Sequence, residues 1–153
     1  MAELARNSQA SLYEADFFAW SQEQGRLLKA RRTAGLDWDN LAEEVETLGR
    51  SERNEIRSRL IVLLQHLLKW QFQASRRKPG WAASLLQVRD QINVQLQESP
   101  SLKRYPETVL KKQYRIARLK AADETGLLID SFPEHCPYSI VQILDESFLP
   151  GDH

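Results

Sequence analysis

Apolar side chains recur along this chain at three- and four-residue spacing, and Gly and Pro signals interrupt the rhythm. Asp16, a good N-cap type, precedes Phe17, Trp20, Leu27 and Leu28, with Gln24 the polar member of that stripe. Thr33-Ala34-Gly35 ends it. Asp37 then caps a second stripe, Trp38, Leu41, Ala42, Val45 and Leu48, and Gly49 stands where a terminating glycine is expected. Ser51 opens the longest stretch, to about Ala74. There Ile56, Leu60, Leu63, Leu64, Leu67 and Leu68 cover so wide an arc that the helix belongs at the centre of a bundle. The join at 49–51 leaves two readings, separate helices or one kinked rod.

Pro79-Gly80 breaks the pattern before Trp81, Leu85, Val88, Ile92 and Leu96, a run that Ser99-Pro100 stops. Pro106 suits the first turn of the next helix, where its missing N–H is no loss. Val109, Leu110, Ile116 and Ala117 face inward there, and Gly126 ends the element. In the tail, Ser139 caps a short helix carrying Ile140, Ile143 and Leu144, while Phe132, Tyr138 and Cys136 dock the tail on the bundle. No alternating strand pattern is visible. The expectation is an all-α fold: a bundle of about five main helices, plus a short C-terminal helix packed by an irregular tail. Residues 1–11 read as a flexible segment and 12–150 as one helical domain, long enough to bury roughly 70% of its unfolded surface.

Charge changes this picture little in total and more in distribution. Lys and Arg number 21, as do Asp and Glu, so no net charge drives the chain toward nucleic acid or membrane. The apolar run at 60–68 is far shorter than the ~20 residues a membrane span needs. The one cysteine, Cys136, has no partner for an intrachain disulfide, which fits a reducing cytoplasm. All four tryptophans, Trp20, Trp38, Trp70 and Trp81, read as core or seam residues.

Several stretches carry a likeness. Asp16-Phe17-Phe18-Ala19-Trp20 and Leu36-Asp37-Trp38-Asp39-Asn40-Leu41-Ala42-Glu43-Glu44-Val45-Glu46 resemble the opening of the bacterial DUF29 family. The resemblance continues through Leu48-Gly49-Arg50-Ser51-Glu52-Arg53 and Leu63-Leu64-Gln65-His66-Leu67-Leu68-Lys69-Trp70-Gln71. It closes on Ser99-Pro100-Ser101-Leu102, Glu124-Thr125-Gly126-Leu127, and Phe132-Pro133-Glu134 followed by Cys136-Pro137-Tyr138. It spans about 12–150 and implies an all-α bacterial protein, abundant in cyanobacteria. It implies no reaction and no catalytic residue, because the family has no assigned activity.

Three groups of residues offer chemistry. Glu43 and Glu46, then Glu52 and Glu55, form two Glu-x-x-Glu pairs whose members share a helix face and can clasp a hard cation. All-α nucleotide pyrophosphohydrolases use helical carboxylate clusters of this general kind, but Arg50 and Arg53 intervene here and the Glu-x-x-Asp of those enzymes is missing. A solvated acidic face explains the same letters. Lys111, Lys112, Arg115 and Arg118 make a basic face able to contact phosphates. Four such contacts imply binding roughly 100- to 200-fold weaker at 200 than at 50 mM salt, and no nucleic-acid motif accompanies them. His66 is a base or ligand type near neutral pH. The plainer reading is a partly buried histidine hydrogen-bonded to a neighbouring helix. Cys136 beside His135 gives a nucleophile reading that tail packing outweighs.

With no catalytic signature and no cofactor motif, the sequence favours a non-enzymatic interaction or adaptor module. It would dock a protein partner or a second copy through two charge zones, an acidic one over 37–55 (Asp37, Asp39, Glu43, Glu44, Glu46, Glu52, Glu55) and a basic one over 103–120 (Lys103, Arg104, Lys111, Lys112, Arg115, Arg118, Lys120). A metal-dependent nucleotide hydrolase and a weak nucleic-acid binder are the alternatives.

Overall fold

Helix formers dominate the stretches between the Gly and Pro signals, and those stretches are helical in the computed structural model, which describes residues 2–151 apart from the side chains at 5–7. Six helices follow in order: α1 (Ala2–Ala15), α2 (Phe17–Lys29), α3 (Trp38–Phe72), α4 (Pro79–Glu98), α5 (Tyr105–Thr125) and α6 (Ile140–Leu144). Short 3-10 turns join them, and no strand occurs among the described residues. The all-α expectation holds, with five long helices and one short one.

Those five are not the five read from the sequence. α1 was not anticipated; its Ala, Glu, Leu and Gln content favours helix, but Leu4, Leu12 and Tyr13 are its few large apolar side chains. The two stretches around Gly49 are a single helix, α3. One internal glycine costs only about 1 kcal/mol against alanine, and a stop needs the left-handed backbone that Gly49 does not adopt. Arg50 also reaches back to Glu43 (2.8 Å) and Glu46 (3.8 Å), bridging the supposed boundary. Gly126, by contrast, does cap α5, with φ +73° and its N–H on the Ala122 carbonyl.

The chain divides into two compact units, Met1–Ser51 and Glu52–His153, with α3 contributing to both. In the first, a polar chain runs through the small core. Trp20 Nε1 donates to Asp37 Oδ2 (3.0 Å), the Asp37 N–H donates to Gln24 Oε1 (2.9 Å), and Gln24 Nε2 donates to Gln9 (3.0 Å). Gln24 is the polar member of an apolar stripe because it joins α1 to the start of α3. Trp20, Leu27 and Leu36 are buried around it, while Leu28 is half exposed.

The second unit is built on leucine. Leu60, Leu63, Leu64, Leu67 and Leu68 of α3 are sealed against Leu85 and Ile92 of α4, Tyr114, Ala117 and Ala121 of α5, and Phe132, Tyr138 and Ile143 of the tail. Each such leucine contributes about 1.5–3 kcal/mol by leaving water. Ser139 caps α6 in a reciprocal pair with Gln142. Arg89, fully buried, holds α6 by donating from Nε to the Ile143 carbonyl (2.8 Å), and its Nη2 is buried with no hydrogen-bond partner among the described residues.

Candidate functional site

The left-handed backbone at Gly126 ends α5 and turns the chain back along it. A 3-10 turn at Ile129–Ser131 then leads into Phe132, buried against Phe72 at 5.5 Å between ring centroids. Arg118 fixes this return, donating from Nε (3.2 Å) and Nη2 (3.0 Å) to the Phe132 carbonyl. The Tyr114 hydroxyl donates to the Pro133 carbonyl, and burial pushes its pKa up to about 12. Beyond these anchors residues 134–136 run beside α5, and a cavity of about 700 Å³ opens between them.

That volume lies inside the range of small-ligand and peptide clefts. Leu110, Tyr114, Leu119 and Ile129 give the cavity an apolar floor, and Lys111 and Arg115 stand one helical turn apart on its rim. Both are exposed, and neither has an ion pair or hydrogen bond among the described residues. Glu107 and Glu134 also line the rim, so three cations face two carboxylates. Two features read separately from the sequence, the basic face of α5 and the His135-Cys136 pair, thus meet in one groove.

The groove sorts the predicted basic residues. Lys111, Arg115 and Arg118 line it, with Arg118 committed to the tail backbone; Lys112 does not line it. Cys136 lies on the far wall, half-buried, its thiol donating to the Tyr138 carbonyl (3.4 Å). Burial pushes that thiol above its ordinary pKa, away from the thiolate that nucleophilic chemistry needs.

The predicted acidic residues lie elsewhere, spent on neighbours. Arg50 holds Glu43 and Glu46. Gln95 Nε2 donates to the Glu52 backbone carbonyl (3.0 Å), its carboxylate (2.9 Å) and Glu55 (3.3 Å), and Arg59 stands 3.6 Å from Glu55. Glu52 and Glu55 join Asp90 and Glu98 around a shallow cleft of about 320 Å³ with Arg59 among them. Among the described residues, no three His, Cys, Asp or Glu side chains are grouped to hold a metal ion.

His66 differs from expectation. Its Nδ1 is buried with no hydrogen-bond partner among the described residues. Burial, reinforced by Lys69, lowers its pKa against the opposing pull of Glu124. Lys69 is itself buried, donating to Glu124 (2.8 Å) and lying 4.7 Å from the Trp81 ring centroid. The sequence reading missed this Lys69–Glu124–Trp81 group. The residues lie 12 and 55 positions from Lys69, and only the folded bundle brings them together.

A family model described as a domain of unknown function, DUF29, matches residues 12–149. No curated protein and no solved structure matches the chain. No helix among the described residues is long and apolar enough to cross a membrane.

Proposed function

The chain belongs to the DUF29 family, and we propose that it is a bacterial, cytoplasmic interaction module whose α5–tail groove docks an acidic, partly apolar segment of a protein partner. The observation that carries this reading is the pair of cations, Lys111 and Arg115, unpaired among the described residues, over the floor of Leu110, Tyr114, Leu119 and Ile129. A carboxylate-bearing segment satisfies the rim, and its apolar residues cover the floor. Charge of this kind sets register and on-rate, while desolvation of the floor supplies the affinity. The cytoplasmic placement is supported by a single cysteine with no second one to pair with.

The groove supports protein over nucleic acid because only two of the four basic residues stand free within it. Two phosphate contacts give about a 12-fold loss of affinity between 50 and 200 mM salt, too little a hold for a polyanion site. The hydrolase reading has less support still, since the acidic residues it needs are hydrogen-bonded to Gln95 or paired with Arg50 and Arg59.

Fluorescence polarisation tests the proposal with three labelled probes: peptides alternating Glu with Leu or Phe, the same peptides with Lys for Glu, and an oligonucleotide of equal charge. The acidic peptides are expected to bind, and the Lys111→Glu/Arg115→Glu double variant to weaken them tenfold or more. Equal binding of the variant and native chains removes the groove from the function, and preference for the oligonucleotide transfers it to nucleic acid.

A further inference from the structure

The first half of α3 presents an apolar face that its own unit leaves open. At 100° per residue, Trp38, Ala42, Val45 and Gly49 fall within about 60° of one another, and all four are exposed, Trp38 by 52% and Val45 by 66%. Leu48, 69% exposed, flanks them. Large and small residues alternate along this seam, and a Cβ built on Gly49 meets nothing within 4 Å. The order is its own complement in reverse. Laid antiparallel on a second copy, Trp38 faces Gly49 and Ala42 faces Val45, the pairing of large against small that lets two helices interlock.

One pair of flanking charges, Asp39 and Arg50, can meet only in the same direction. Asp39 and Arg50 lie on one flank of the seam, near opposite ends, and Asp39 has no ion pair among the described residues. Antiparallel pairing brings each Asp39 within a turn of the second copy's Arg50 and Glu46, and the Arg50 side chain, which already bonds Glu43 and Glu46, remains 55% exposed to span them. Parallel pairing sets Trp38 against Trp38 and carries each Asp39 to the flank opposite the second copy's Arg50. We infer that this face docks a second copy of the chain, antiparallel, with Trp38 of each copy seated over Gly49 of the other. The contact is about 18 Å long, below the size of a permanent interface. The dimer is therefore weak and concentration-dependent.

Sedimentation velocity on the full chain, from micromolar to millimolar protein at low and high salt, decides the matter. The expected result is a dimer that grows with concentration and survives high salt, because the seam is apolar. Gly49→Lys should weaken it at least tenfold while leaving helix content and Tm equal or higher, since the new side chain meets open space and replaces a poor helix former. Leu86→Ser, at an exposed leucine of α4, should leave it unchanged. A monomer at every concentration overturns the inference, as does a dimer indifferent to Gly49→Lys. Dissociation of the native dimer at high salt also overturns it, giving self-association to the charge zones instead.

Discussion

Leu48 and Leu64 are the same residue on the same helix, yet Leu48 is 69% exposed and Leu64 is sealed. Leu64 has α4, α5 and the tail of its unit around it, and Leu48 stands largely exposed. The same contrast divides the two units. The second is held by packed leucine, and the first by a few apolar groups threaded by the Trp20–Asp37–Gln24–Gln9 chain of hydrogen bonds. An amphipathic stripe states which face of a helix gains from cover. It does not state what covers it, and the uncovered stripe of α3 is where a second molecule has something to gain.

Truncation gives the widest separation between the two regions. Leu64→Ala should cost about 2–5 kcal/mol, the transfer loss plus an unfilled cavity. Leu48→Ala should stay within about 0.5 kcal/mol for dilute monomer, as surface changes do. Urea melts of both variants at low protein concentration check this. Comparable losses would show that Leu48 is covered in solution and that the contrast between the units fails.

The polar core of the first unit should answer to a different residue. The Asp37 carboxylate accepts from Trp20, from the Asn40 side chain (2.8 Å) and from the Asn40 backbone (3.4 Å) in the manner of an N-cap. Asp37→Ala strands these donors at about 1–3 kcal/mol. Amide exchange in α1 and α2 should then quicken about 5- to 150-fold, with the α3 amides at Leu63 to Leu68 unaffected. Uniform acceleration through both units would mean that they open together.

What the sequence disclosed follows the same divide. Local signals were legible: Asp16 caps α2 through the Ala19 N–H, Pro79 opens α4, Gly126 closes α5 and Ser139 caps α6, because each acts within one turn of itself. The leucine arc of α3 was legible because its width exceeds anything a surface helix needs. The surroundings of Trp38 were not, since its spacing is that of a core residue and its exposure depends on what else packs there. The basic face of α5 and the His135-Cys136 pair were each visible as sequence, but their shared groove was not. The turn that joins them depends on Arg118 reaching Phe132 and Tyr114 reaching Pro133.

The smallest expected effect is a change of slope and belongs to His66 in the second unit. Its buried Nδ1 has no partner among the described residues, and burial with Lys69 nearby holds its pKa below the ordinary 6.5. The folded state therefore prefers the neutral ring, while the unfolded chain takes up a proton near 6.5. Stability is unaffected above that pH, falls as pH drops below it, and levels off once the folded ring also protonates. Glu124 has the opposite charge and a lower window. Lys69 and Gln65 hold its carboxyl below the ordinary 4.5, so its contribution is present above 4.5 and is lost only in stronger acid. Urea midpoints of the native chain should decline just below pH 6.5, whereas those of His66→Leu should stay level there, and both should decline below 4.5. Parallel profiles between 6.5 and 4.5 would show that the ring finds a partner in solution and that its burial carries no charge penalty.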